Sequence, residues 1–358
     1  MPDTVGISVN VPETEVTRVA ARPTMREVAA VARVSLMTVS RVVNGDSGVA
    51  PETAARVEHA IAELGYQRND IARHLRQKNR VSRTIGLVVD DLANPFYSVM
   101  SRAVEDEAYR RGYLVLLGST NDDPHRERDL ITAFTARQVD GLILVPTSGN
   151  HPALAQIGIP LVCADRLARG LDVDTVTVDN RSGAMRAVTH LLDHGHRRVA
   201  YLGDQRKIWT LKERYAGYRD AFAAAGLDPD PDLTCHGLRS RPDAAIATAR
   251  LMALADPPTA LFASNDLITM GAVDGLGAAA RRVALVGFDD FPLADKLTPP
   301  ITVVSQDPRT IGATAAQLLF SRIEGSTAPA RSVVLLTRFV QRGSGELRPP
   351  RPVASIST

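Results

Sequence analysis

The chain has 358 residues, too long for one small domain, and its 44% hydrophobic and 23% charged content is an ordinary globular balance that excludes wholesale disorder. It has no apolar run of roughly 18 residues and no secretory leader pattern at the N-terminus, so a membrane span is excluded and a cytoplasmic protein is expected. The net charge of +2 is unevenly spread: residues 22–80 hold ten Arg and Lys against six Asp and Glu, a basic module on a neutral body, as a phosphate-facing segment requires.

Residues 1–23 lack apolar periodicity and read as a disordered tail. Thr24 with Glu27 forms a capping box that starts a helix at Met25, with Val28, Ala29 and Ala32 inward. Ser35 caps a second helix whose inward positions are Val39, Val42 and Val43. Pro51 opens a third, with Val57, Ala60, Ile61 and Leu64 inward and Gly65 at its end. This is either a plain three-helix bundle or a helix-turn-helix DNA reader over 24–68. The outward residues of the second helix favour the reader. Leu36, Met37, Thr38, Ser40 and Arg41 are not the Glu/Lys mixture of a solvated face. Hydroxyls suit phosphates, Arg suits a guanine edge, and Leu or Met suits a thymine methyl.

Residues 69–82 form a basic linker with apolar Ile71, Ala72 and Leu75, too short to hold a helix alone. From residue 83 to 344 a strand–helix rhythm runs, with ten strand candidates from TIGLVVDD (84–91) to ITVVSQD (301–307). Continuous Val/Ile/Leu strands alternating with helices predict parallel sheets covered on both faces. Ten strands point to two α/β subdomains, one from 83–179 with 307–325 and one from 180–306 with 326–344. Residues 345–358, with three prolines, read as a loose tail.

Ligands in open parallel sheets bind beyond the carboxyl ends of the strands. Those ends are polar here, among them Asp90, Asp165, Arg166, Asp179, Asn265 and Asp289. Each singly reads as a helix cap; together they suggest a polar cleft for a hydroxyl-rich ligand. No GxSxG, HExxH, Walker A or CxxC pattern occurs, and Cys163 and Cys235 are isolated, so no enzyme, cofactor or metal is expected. His190, His194 and His196 cluster, but read as a helix-to-strand junction.

The strings VSLMTVSRVVNG (34–45), IAELGY (61–66) and NDIARHLR (69–76) resemble the DNA-binding headpiece of the LacI/GalR repressor family. The body resembles periplasmic sugar-binding proteins, whose fold that family shares, so the resemblance covers about residues 24–343. It implies a homodimer on a palindromic double-stranded operator, controlled by a small carbohydrate or nucleoside-like effector. By position, Leu36, Met37 and Arg41 would meet base edges, and Ser35, Thr38, Asn44 and Thr53 phosphates. Asn69, Ala72 and Leu75 would lie in a hinge that folds on DNA, with Leu75 as a minor-groove wedge. NPFY (94–97), ERYAGYRDA (213–221), SND (264–266) and GFDD (287–290) place Phe96, Arg214, Asn265 and Asp289 at the effector, with Asp165 and Asp179 beside them. Two departures stand out. Arg33 occupies a turn position where the family often has Gly or Asn, and Ala50 replaces a hydroxyl cap.

Overall fold

The computed structural model describes residues 23–66 and 81–350, apart from positions 47, 150, 152, 153, 155 and 169. The chain divides into two units, Met1–Arg80 and Val81–Thr358. The expected N-terminal tail and most of the hinge, with Asn69, Ala72 and Leu75, fall outside the described residues.

In the first unit α1 spans Met25–Ala32, α2 Leu36–Asn44 and α3 Pro51–Leu64. The capping box forms in full: Thr24 accepts from the Glu27 amide, and the Glu27 carboxylate accepts from the Thr24 amide at 2.5 Å. Ser35 caps α2, accepting from the Thr38 amide at 3.1 Å. Val28, Ala29, Ala32, Val39, Val57 and Ala60 form a small core, with Val42, Val43, Ile61 and Leu64 packed against it. Arg33 takes the left-handed turn at φ 54, a conformation that costs a non-glycine residue about 1 kcal/mol or more. The Arg56 guanidinium offsets part of this by donating to the Ala32 carbonyl at 2.9 Å, closing an end that α1 leaves open.

Ala50 gives α3 no side-chain cap. Its extended backbone already suits a capping hydroxyl. Ala50→Ser is therefore expected to stabilise this unit by about 0.5–2 kcal/mol. Slower amide hydrogen exchange across residues 51–64 of the full chain would register the gain, and unchanged exchange would refute it.

The second unit holds two six-stranded sheets. The first contains β1 (Thr84–Val89), β2 (Leu114–Ser119), β3 (Gly141–Leu144), β4 (Leu161–Ala164), β5 (Asp174–Val178) and β11 (Ser332–Leu335). Its order is β11-β5-β4-β3-β1-β2, all parallel. The second contains β6 (Val199–Leu202), β7 (Thr234–Cys235), β8 (Ala260–Ala263), β9 (Ala284–Phe288), β10 (Thr302–Ser305) and β12 (Arg338–Val340). Its order is β12-β10-β9-β8-β6-β7, with β12 antiparallel to β10 and the others parallel. The connecting helices are α4 (Pro95–Arg110), α5 (Pro124–Ala136), α6 (Asn180–Asp193), α7 (Trp209–Ala224), α8 (Arg241–Met252), α9 (Asp266–Leu276) and α10 (Pro308–Ile323). Strands β3, β4, β5, β6, β8 and β9 are buried along their whole length, as sheets covered on both faces must be.

Two expectations about the chain's course are corrected. Residues 326–344 do not all go with the second sheet: Ser332–Leu335 pairs in parallel with β5 of the first sheet, and Arg338–Val340 then joins the second. Both are short, half-exposed edge strands with little apolar pattern. The tail does not loosen at 345 either. The Glu346 carboxylate accepts from Thr302 at 2.8 Å and from the Gly343 amide at 2.6 Å, and the Leu347 carbonyl meets His196 at 2.8 Å. Residues 351–358 lie outside the described residues.

Candidate functional site

A cavity opens in the second unit where the carboxyl ends of strands from both sheets meet. Its walls include Asp90 after β1, Asp165 and Arg166 after β4, Asp204 after β6, Asn265 after β8, Asp289 after β9 and Gln306 after β10. Phe96 and Tyr97 of α4 and Arg214 of α7 complete it. An adjoining space of about 330 Å³ shares Asp90, Asn94, Tyr97, Asp204 and Asn265 and adds Asn121, Asp122 and Arg239. Asp165 and Asp289 follow equivalent strands, each third in its sheet, and both take a left-handed backbone, φ 64 and 69. Aspartate tolerates that conformation better than most residues, and it turns both carboxylates into the cavity wall.

Arg214 organises the second-sheet side. It donates to the Asn180 amide oxygen at 2.8 Å, the Ser264 carbonyl at 2.7 Å and the Asp289 carboxylate at 3.2 Å, over the Phe288 ring at 3.7 Å. Gly217 fixes where this arginine stands. A Cβ there would lie 2.1 Å from the Arg181 carbonyl, so only glycine lets α7 settle on α6 at this distance. Gln306 donates to the other oxygen of Asp289. On the first-sheet side Arg166 donates to Asp90 at 2.5 Å and Asp122 at 3.3 Å, while the Tyr97 hydroxyl donates to Asp165 at 3.0 Å. Burial holds the Asp165 carboxyl above its usual range although Arg166 and Arg214 oppose the shift, and it raises Asp204 as well. The cavity thus offers carboxylates, amides and guanidinium groups over aromatic faces, the set that orients a polyhydroxylated or heterocyclic ligand.

Asp266 joins the two halves, accepting from the Asn94 side chain at 3.1 Å. Its second carboxylate oxygen is buried without a hydrogen-bond partner. Burial, then the nearby Asp289, push its pKa up to about 7. The folded chain therefore binds a proton that the unfolded chain releases, and stability declines as pH climbs from about 4 to about 7. Asp266→Asn keeps an acceptor for Asn94 and removes the titration. It should raise the melting temperature at about pH 8 and flatten its pH dependence. Melts of both proteins across that range check this, and parallel curves would contradict it.

Five of the six expected effector residues, Phe96, Asp165, Arg214, Asn265 and Asp289, line this cavity. Asp179 does not. Its carboxylate accepts from the Thr337 amide at 2.6 Å and from Arg186 at 3.2 Å, so it pins the crossing segment between β11 and β12. Asn265 is partly committed as well, capping α9 through the Ile268 amide at 2.8 Å. Sequence reasoning missed Tyr97, Asp204 and Gln306. Asp204 ends the string RRVAYLGD (197–204) and Gln306 is the last residue but one of ITVVSQD (301–307), both at the polar ends of strand candidates where the strand-end rule looks. The three clustered histidines are held by protein groups: His190 by Glu346 at 2.9 Å, His194 by the His190 carbonyl at 2.8 Å and His196 by Thr259 at 2.9 Å.

In the first unit Leu36, Met37 and Arg41 project from α2 into solvent, and Met37 is 67% exposed. Ser35 is exposed, Thr38 and Thr53 are half-buried, and the Ser35 and Thr38 hydroxyls lie 2.9 Å apart. The side chain of Asn44 is outside the described residues.

Fold and cavity together define a helix-turn-helix protein that also carries a periplasmic-binding-protein-like body. Residues 24–69 match the bacterial regulatory proteins of the lacI family, and residues 188–345 match the periplasmic binding protein-like domain. The HTH-type transcriptional repressor PurR of Aliivibrio salmonicida is 31% identical over 329 residues, covering 90% of this chain and 98% of the relative. A solved CelR–cellobiose complex superimposes with a TM-score of 0.67 at 33% identity, over 90% of this chain and 100% of that one. The lac repressor dimer bound to operator and the anti-inducer ONPF does so with a TM-score of 0.77 at 25% identity, over 91% and 100%. The chain belongs to the lacI family of DNA-binding transcriptional regulators.

Proposed function

We propose that this regulator is a repressor that binds a palindromic operator as a homodimer and answers to a sugar or nucleoside-like effector. The observation that carries the reading is the junction of Arg214, Asp289, Asp165 and Phe96 at one cavity, reached from both sheets. The CelR complex supports a saccharide class, since that relative is named with cellobiose. Leu36, Met37 and Arg41 read base edges, while Ser35, Thr38, Asn44 and Thr53 hold phosphates. The hinge roles of Asn69, Ala72 and Leu75 rest on the family resemblance. Exposed apolar side chains support the dimer: Tyr109 at the end of α4, Leu114 and Leu117 on edge strand β2, and Ile246 on α8. The protein acts in the cytoplasm by binding, without a reaction of its own; among the described residues no helix is long and apolar enough to cross a membrane.

A thermal-shift screen of the full chain against sugars and nucleosides tests the effector. A ligand that raises the melting temperature and changes DNA affinity supports the reading. A ligand that stabilises the chain while DNA affinity stays constant removes the regulatory part.

A further inference from the structure

Glu127 and His151 form a buried pair that takes no part in the DNA-reading face and does not line the central cavity. Their side chains are 4% and 3% exposed. Glu127 lies in the first turn of α5, and His151 follows the turn after β3. Both ring nitrogens face acceptors. His151 Nδ1 stands 2.7 Å from Glu127 Oε1, and its Nε2 stands 3.1 Å from the Thr147 carbonyl. A neutral imidazole has one N–H and one lone pair, so against an ionised Glu127 it satisfies one contact and turns a lone pair on the other. With one more proton in the pair, both hydrogen bonds form. Burial alone would lower the His151 pKa, but the hydrogen bond and charge of Glu127 and the Thr147 carbonyl outweigh it and hold the imidazole above its usual range.

The pair fixes the chain around it. Glu127 Oε2 accepts from the Thr147 amide at 2.7 Å, so the amide and the carbonyl of Thr147 are both tied to the pair. Ser148 donates its amide at 3.1 Å and its hydroxyl at 3.0 Å to Asp122, and the same carboxylate accepts from Arg166 at 3.3 Å. Arg166 lines the central cavity. A continuous run of bonds thus leads from His151 through Thr147, Ser148 and Asp122 to a guanidinium of that cavity. Glu127 is the one charged group that acts on the imidazole among the described residues. Strand β4 brings Cys163 towards Glu127; burial, and then that carboxylate, push its thiol up to about 12, so it stays neutral while His151 titrates.

We propose that Glu127 and His151 are a pH-sensitive clasp: with the additional proton they lock the turn at residues 147–148, and without it they release that turn and loosen the Asp122 hold on Arg166. The sign follows from the raised imidazole. The clasp is complete below the ordinary imidazole range and is lost as pH climbs through the higher value of the folded chain. It stands apart from the effector reading, and either holds without the other.

Hydrogen exchange of the full-length protein, followed by mass spectrometry on residues 145–151 from about pH 6 to about pH 9, tests the clasp, with each rate divided by that of an unstructured chain at the same pH. Protection of the Thr147 and Ser148 amides should fall by about tenfold or more over that range, relative to buried strand β8. Glu127→Gln should reverse the slope. Its carboxamide oxygen can accept from the Thr147 amide while its nitrogen donates to a neutral Nδ1, leaving Nε2–H for the Thr147 carbonyl, so every contact is made at high pH and a further proton breaks one. A purely structural pair would give no such reversal. Melting curves establish that the variant is folded; if it is not, His151→Gln, which has no titrating ring, should show protection that does not change with pH. A flat wild-type profile, a Glu127→Gln profile that falls as the wild type does, or a wild-type slope in His151→Gln would overturn the proposal.

Discussion

Arg214→Ala is expected to destabilise the body by about 3–5 kcal/mol and to abolish its response to effector. The stability loss follows from the partners left behind. Removing one member of a buried pair strands the other charge, and here Asp289 would keep only Gln306. The Ser264 carbonyl and the Asn180 amide oxygen would lose a donor as well. The lost response follows from position, because the same guanidinium lines the cavity. Arg214→Lys should rescue little, since one ammonium cannot reproduce a planar fork that reaches three acceptors. The measurements are a melting curve, a ligand-induced thermal shift and a DNA titration below the variant's melting temperature. Ligand-free DNA affinity should match the wild type, since a ligand moves the DNA equilibrium only through its difference in affinity between two body conformations. A wild-type thermal shift in this variant would remove Arg214 from the site.

Arg41→Ala should weaken binding to the selected operator by about 1–3 kcal/mol and relax choice at one base pair. Arg41 lies on the exposed face of α2, one helical turn beyond Met37 and opposite buried Val39. It carries no packing role in the core of this unit, so the loss should appear in DNA binding and not in folding. Affinity for random DNA should change much less. Equal losses on both DNAs, with a salt slope smaller by about one, would show that Arg41 touches only phosphate.

The first unit was largely legible because its signals are local. Thr24 and Glu27, Ser35, Pro51 and Gly65 mark helix ends within three or four residues of what they cap, and all four helix-end readings hold. The positive φ at Arg33 fits the family resemblance, in which Gly or Asn often stands at that turn position. The central cavity was legible by rule: parallel strands end in polar residues where such sheets take ligands, and Asp165, Asn265 and Asp289 at those ends line it. Asp179 obeys the same pattern and fails, because its partners come from Thr337, far along the chain, where the segment crosses between sheets. Nothing local distinguishes a carboxylate that meets a ligand from one that meets a returning strand.

The central claim is that this chain reads DNA sequence as a two-fold dimer, and selection from a random pool of duplexes tests it most directly. Full-length protein is bound to the pool at near-physiological salt, and bound duplexes are amplified and reselected. The account predicts enrichment of one palindrome whose half-sites lie about 10 base pairs apart centre to centre, or a multiple of that, with Arg41→Ala degenerate at one position in each half-site. A bound pool that stays random in sequence, or enriches a single asymmetric site, would contradict it.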